Sequence, residues 1–225
     1  MPILSIETSS RVCSVALHHD GKLLANQTLF TEKSSSGMLT PIIRQILENN
    51  NLRPSDLEAV AIAMGPGSYT GLRIGVSTAK GLCAAIDKPL IAVNTLEAMA
   101  LQVKNYFSDT FLLCPMLDAR RMEVYCAVYD IHMNCLEETN AKIIDNNSFS
   151  ELLEQKNVVF FGDGAEKCRT TLSENKNAVF LKEPIWPSAS TVGYLANECF
   201  LKDKFENLVT FEPFYLKDFI GTVPK

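Results

Sequence analysis

The sequence predicts an α/β protein of two lobes, each a mixed sheet whose first three strands are antiparallel and whose later strands are parallel, with helices on the flanks. Three observations predict it. The order βββαβαβα can be read twice along the 225 residues. An apolar run, Val60-Ala61-Ile62-Ala63-Met64, is followed by a Gly-Pro-Gly turn and a helix, the pattern of a buried strand feeding a crossover. Each half also opens with a strand leading into a turn that begins with an acidic residue: Glu7-Thr8-Ser9-Ser10-Arg11 in the first and Asp118-Ala119-Arg120-Arg121 in the second.

In the first half, strands are expected at 3–8, 12–18 and 22–30, the last two joined by a tight His19-Asp20-Gly21 hairpin. A helix from about Ser36 to Asn50 follows. Its Met38, Leu39, Ile42, Ile43, Ile46 and Leu47 span about 180° of the circumference, wider than the roughly 100° stripe that one core contact requires. Pro41 within it predicts a kink or a later start. The strand around Val60 leads to a glycine-rich helix with Thr70 as its N-cap, then a strand at 90–93 and a helix at 95–104. The second half repeats the order with strands at 111–117, 122–130 and about 135–144, a helix from Ser148, a strand at 158–161, a helix after Gly164, a short strand at 178–181 and a helix at 188–201. The lobes are placed at 1–105 and 106–225. Trp186, between Pro184 and Pro187, is expected to anchor a loop on the second lobe, and the aromatic tail at 211–219 either packs back across the lobes or reaches a partner.

The glycine-rich helix carries two apolar sides. Gly71, Gly75, Thr78, Leu82 and Ala85 form a small-residue seam, and Leu72, Val76, Ala79, Cys83 and Ile86 form a second stripe about 100° away. Only Arg73, Ser77, Lys80 and Ala84 are left for water. Each helical glycine costs about 1 kcal/mol against alanine. Gly71, Gly75 and Gly81 therefore imply a gain from close approach of another backbone. Packing within the lobe is one reading. The other is a four-helix seam made with the same two helices of a second molecule.

A hydrophobic fraction of 47% suits a substantial core. No apolar run approaches the roughly 20 residues of a membrane helix, and Met1-Pro2-Ile3-Leu4-Ser5 passes straight into a strand without a basic leader, so a cytoplasmic protein with no membrane partner is expected. The seven cysteines (Cys13, Cys83, Cys114, Cys126, Cys135, Cys168 and Cys199) contain no C-x-x-C pair and read as buried thiols. A net charge of −5 makes the chain alone a poor ligand for nucleic acid, whose affinity comes largely from phosphates neutralised by Lys and Arg.

Catalytic classes fare poorly. The three histidines, His18 and His19 at an expected surface hairpin and His132 in a turn, are too scattered for a metal triad, so no metal site is expected. A kinase needs carboxylates and a phosphate cradle. Glu7, Thr8, Ser9, Ser10 and Asp118 are the candidates for nucleotide binding, yet the glycine turn lacks G-x-x-x-x-G-K-[ST]. A hydrolase is disfavoured by the lack of G-x-S-x-G and H-E-x-x-H, and Ser68 belongs to the turn that launches the helix. No catalytic residue is assigned. The Asp118 turn reads either as a simple strand connection or as a partner contact through bidentate arginine.

Four segments carry a family resemblance: Ile6-Glu7-Thr8-Ser9, Gly65-Pro66-Gly67-Ser68-Tyr69-Thr70-Gly71-Leu72-Arg73-Ile74-Gly75, Asp118-Ala119-Arg120-Arg121-Met122-Glu123-Val124-Tyr125 and Pro213-Phe214-Tyr215-Leu216-Lys217. Together they resemble the TsaB (YeaZ) proteins, and the doubled unit resembles the actin, Hsp70 and sugar-kinase (ASKHA) architecture. The resemblance implies a role in forming N6-threonylcarbamoyladenosine beside the anticodon of tRNAs that read codons starting with A. It implies a noncatalytic scaffold that activates the transferase TsaD by heterodimerisation, with the ATPase TsaE joining, a homodimer in the absence of TsaD, and tRNA met only through the complex. No cofactor is required, and ATP or ADP at a partner interface is a further option. The implied interface comprises Met38, Leu39, Ile42, Ile43, Ile46, Gly71, Ile74, Gly75, Thr78 and Leu82. TsaD-type enzymes carry a metal-binding H-x-x-x-H on the first helix, whereas Lys33-Ser34-Ser35-Ser36-Gly37-Met38-Leu39 contains no histidine. The alternative is an enzyme of the same fold, a small-molecule kinase or a glycoprotease-like hydrolase.

Overall fold

Strands rich in Val, Ile, Leu and Ala on both faces belong in the middle of a sheet covered on two sides. In the computed structural model, which describes residues 1–30 and 37–217, this holds for both halves. Strands β1 (Pro2–Glu7), β2 (Val12–His19), β3 (Lys22–Phe30), β4 (Ala59–Gly65) and β5 (Leu90–Asn94) form a sheet of order β3-β2-β1-β4-β5. Strands β6 (Phe111–Asp118), β7 (Glu123–Tyr129), β8 (Cys135–Ile143), β9 (Asn157–Phe161) and β10 (Ala178–Phe180) form a second, of order β10-β9-β6-β7-β8. The topologies match: β1 and β6 are each antiparallel to the next strand and parallel to β4 and β9. This is the two-lobed actin, Hsp70 and sugar-kinase fold.

Helices α1 (Leu39–Asn49) and α2 (Tyr69–Ile86) cover one face of the first sheet, where Leu4, Ile6, Val60 and Ile62 meet Ile42 and Val76. Pro41 sits in the first turn of α1, where its missing N–H has no intrahelical acceptor to lose. The expected start at Ser36 lies outside the described residues, as do Lys33, Ser34 and Ser35. The N-cap of α2 is Ser68, not Thr70: its Oγ accepts from the Gly71 N–H at 3.4 Å.

The other face holds a reciprocal exchange. Helix α3 (Thr95–Val103), from the first half, packs Leu96, Met99 and Val103 against Leu113, Ala127 and Tyr129 of the second sheet. Helix α6 (Ala189–Phe200), from the second half, packs Val192 and Ala196 against Ile3, Ala61 and Ile91 of the first. The expected division at residue 105 thus separates the sheets but not the helices that cover them. Helices α4 (Ser150–Gln155) and α5 (Ala165–Leu172) complete the second lobe.

Beyond α6 the chain returns to the first lobe. The Glu206 N–H donates to the Leu90 carbonyl at 2.8 Å and the Phe214 N–H to that of Met64 at 2.8 Å. Lys80 Nζ, expected in water, is half-buried and donates to the Phe211 carbonyl at 2.9 Å. Tyr215 lies on Tyr69 with ring centroids 4.9 Å apart, and Lys217 pairs with Glu123 of the second lobe. The tail therefore packs back across both lobes; Phe219 lies outside the described residues. Trp186 also departs from expectation, meeting Phe30 of the first lobe at 5.9 Å between ring centroids. Among the described residues, no helix is long and apolar enough to cross a membrane.

Candidate functional site

The first acidic turn leaves β1 and lies directly on α2. The Thr8 hydroxyl donates to the Gly71 carbonyl at 2.8 Å, and the Ser68 N–H donates to the Ser9 carbonyl at 2.6 Å. A β-carbon on Gly71 would overlap the Thr8 carbonyl, and one on Gly75 would overlap Thr8 Oγ1 and lie 2.9 Å from Ile62 Cδ1. The Gly71–Gly75 end of the small-residue seam is therefore filled by the chain's own turn. Gly71 and Gly75 are removed from the expected interface, because what approaches them is Thr8, by its carbonyl at Gly71 and by its side chain, with Ile62, at Gly75.

The same turn seals its polar groups. Glu7 is fully buried, and its Oε1 accepts from the Ser9 N–H. Glu7 Oε2 and Ser9 Oγ have no hydrogen-bond partner among the described residues. Burial pushes the Glu7 pKa up to about 7 against the opposing pull of Ser9. Ser10 Oγ accepts from the Val12 N–H at 3.1 Å. The Thr8 and Ser10 hydroxyls are thus engaged within the chain, and Glu7 and Ser9 are enclosed. Asp118, the fifth candidate, is exposed and ion-paired with Lys167.

The second turn is open. The Asp118 N–H donates to Asp163 Oδ1 at 3.0 Å, and the Arg120 N–H donates to Asp118 Oδ1 at 2.9 Å. Arg120 and Arg121 are exposed and both lie in the left-handed region, at φ 71° and 50°. Burial raises the pKa of Asp163, while Arg11 from the first turn and Lys167 pull it back. The two turns thus share one electrostatic mouth. Lys217 from the tail bonds the Ala119 carbonyl at 3.5 Å on its rim.

The expected partner helices differ from their apolar patterns. Leu39, Ile42, Ile43, Ile46 and Leu47 are all at most 7% exposed within the core of the first lobe, so Leu39, Ile42, Ile43 and Ile46 are not available on the surface. Met38 is exposed. On α2 the outward side consists of Arg73, Ser77, Gly81, Ala84 and Ala85, with Ile74, Thr78 and Leu82 half-buried beside it. A β-carbon on Gly81 would meet nothing within 4 Å.

Sequence reasoning missed His18. Rather than lying on an exposed hairpin, it is buried under α6, where a β-carbon on Gly193 would overlap its ring and Tyr194 makes an edge contact at 5.1 Å. Ser5 Oγ beside it has no hydrogen-bond partner among the described residues, and burial lowers the His18 pKa against the opposing pull of the Ser190 backbone. The available signal was its alternation with Ser14 and Ala16 along β2, the face that meets α6. Cys135 is exposed and Cys199 half-buried, against the expectation of buried thiols; the other five are buried. Among the described residues, no three His, Cys, Asp or Glu side chains are grouped as metal ligands.

Comparison with known proteins agrees with this architecture. The family model for TsaD, tRNA N6-adenosine threonylcarbamoyltransferase, matches residues 29–222. The tRNA threonylcarbamoyladenosine biosynthesis protein TsaB of Escherichia coli is 32% identical over 97% of this chain and 95% of its own. That of Bacillus subtilis is 34% identical over 72% and 71%. YeaZ from Pseudomonas aeruginosa superposes with a TM-score of 0.83 at 24% identity, covering 96% of this chain and 99% of that one, which shows the shared fold. The chain belongs to the TsaB (YeaZ) family, whose place is in the biosynthesis of threonylcarbamoyladenosine in tRNA.

Proposed function

We propose that this chain is a noncatalytic cytoplasmic subunit that pairs with TsaD, an enzyme of its own family, through the outward side of α2 and holds that enzyme in its active form. One observation carries the reading. Gly81 lies inside a helix, is exposed, and has open space where its β-carbon would be, so the fold itself gains nothing from the roughly 1 kcal/mol that glycine costs there. Small side chains at Ser77, Gly81, Ala84 and Ala85 let a second helix pack at short interaxial distance. Met38, Ile74, Thr78 and Leu82 border that surface and supply apolar area to bury. The sealed Glu7 turn supports the noncatalytic part of the reading. Homodimers in the absence of TsaD use the same surface, and TsaE joins the assembled pair.

The test is Gly81→Leu. Its side chain points into open space, so the free subunit keeps or raises its thermal midpoint, while coexpression with TsaD followed by size-exclusion mass measurement shows two separate species. A Gly81→Leu chain that still elutes as a heterodimer with unchanged affinity rules this surface out. Gly75→Leu is unsuited to the purpose, because it collides with Thr8 inside the lobe.

A further inference from the structure

We propose that the mouth between the two turns binds single-stranded RNA, with Arg11, Arg120 and Arg121 on backbone phosphates and Phe30, backed by Trp186, against an unstacked base. This rests on the reading that the chain acts within a tRNA-modifying assembly.

In a chain with 26 acidic residues, the surface arginines have many carboxylates to pair with, and Arg53 and Arg169 do so with Asp56 and Glu166. Among the described residues, none of the guanidinium groups of Arg11, Arg120 and Arg121 donates a hydrogen bond or forms an ion pair. Two nearby carboxylates are already neutralised, Asp118 by Lys167 and Glu123 by Lys217, and a third, Asp163, faces Arg11 and Lys167. What remains at the mouth is the exposed, unpaired positive charge of Arg120 and Arg121, with Arg11 beside Asp163, on planar groups suited to phosphate oxygens.

The backbone gives a second observation. A hairpin tip with two successive left-handed residues suits glycine, and here both positions are arginine. Strain of this kind is kept where the side chains act.

The third is aromatic. Phe30 is 65% exposed, its ring stands edge-on to Trp186, and the Arg11 guanidinium lies 4.3 Å from the Trp186 ring centroid. An exposed ring beside arginine is the arrangement on which unpaired bases stack. It favours RNA over an acidic peptide, which needs the charges but not the ring.

The experiment measures fluorescence anisotropy of a labelled, unmodified anticodon stem–loop RNA titrated with the full chain, alone and bound to TsaD, from 50 to 200 mM salt. The double variant Arg120→Gly, Arg121→Gly is expected to keep or raise the thermal midpoint, because glycine adopts these φ values freely. Its affinity should fall at least about tenfold at 50 mM salt, and its salt slope should be smaller by about 1.4 for two lost phosphates. Phe30→Ala should weaken binding about tenfold with the slope unchanged. RNA binding equal to the parent chain in the double-glycine variant overturns the proposal. So does competition by poly-glutamate or inorganic polyphosphate as strong as that by RNA. Copurification with TsaD is scored separately: its loss in the parent chain defeats the heterodimer reading, while titration of the isolated chain still decides this one.

Discussion

Replacing Glu7 by Gln should stabilise the protein at alkaline pH and leave it unchanged in acid. Glu7 is fully buried, with a pKa of about 7 in the fold against 4.5 for the free side chain. Between those values the folded chain holds a proton that the unfolded chain has released, so stability falls as pH rises. The favourable contribution is complete below 4.5 and is lost as pH passes 7. A gap of roughly 2.5 pH units corresponds to about 3 kcal/mol. For a chain of this size that is a rise of roughly 6–12 °C in melting temperature. Glutamine keeps the acceptor for the Ser9 N–H. The assay is urea unfolding followed by circular dichroism at pH 5 and pH 8 for both chains. A difference below about 1 kcal/mol at pH 5 that grows to about 3 kcal/mol at pH 8 is expected. An equal difference at both values, or a glutamine variant that is weaker at pH 8, refutes the reasoning and means that the carboxylate is charged and well solvated in the fold.

Two glycines of α2 should respond in opposite directions to the same change. Gly75→Ala forces a β-carbon onto Thr8 Oγ1 and should lower the unfolding free energy by about 1–3 kcal/mol, seen as a lower urea midpoint at constant slope, whereas Gly81→Ala enters open space and should raise it by about 1 kcal/mol. His18, whose pKa is lowered by burial, contributes stability that is present above pH 6.5 and is lost as pH falls through its folded value. A ring titration by NMR should therefore place His18 below 6.5; a value at or above that contradicts its packing under α6.

Strand order was legible because Val, Ile and Ala runs bounded by Gly, Pro and Asp recur in the same order in both halves, and sheets of matching topology result. The glycines of α2 were legible as points of close approach but not as to what approaches. Periodicity places Gly71 and Gly75 on one side of a helix and cannot say that Thr8, some 63 residues earlier, lies against them. The wide apolar arc of α1 looked like an excess over one contact, yet a helix sunk into the core beside both β2 and β3 buries all of Leu39, Ile42, Ile43, Ile46 and Leu47. Nor does amphipathicity name the sheet that a helix meets, so the destinations of α3 and α6 were invisible. At the candidate site, Asp118, Arg120 and Arg121 were readable as an exposed turn, while the left-handed backbone beneath the two arginines had no signal in residue type.

The exchange of α3 and α6 has a consequence for how the chain is made. Strand β5 completes the first sheet at Asn94, but the helix that covers one of its faces ends only at Phe200. At a synthesis rate of about 5–20 residues per second, the intervening stretch takes roughly 5–20 s to emerge. During that interval Ile3, Ala61 and Ile91 have no α6 to shield them. A ribosome stalled near the end of β10 would therefore hold a sticky half-finished lobe, a natural client for nascent-chain chaperones.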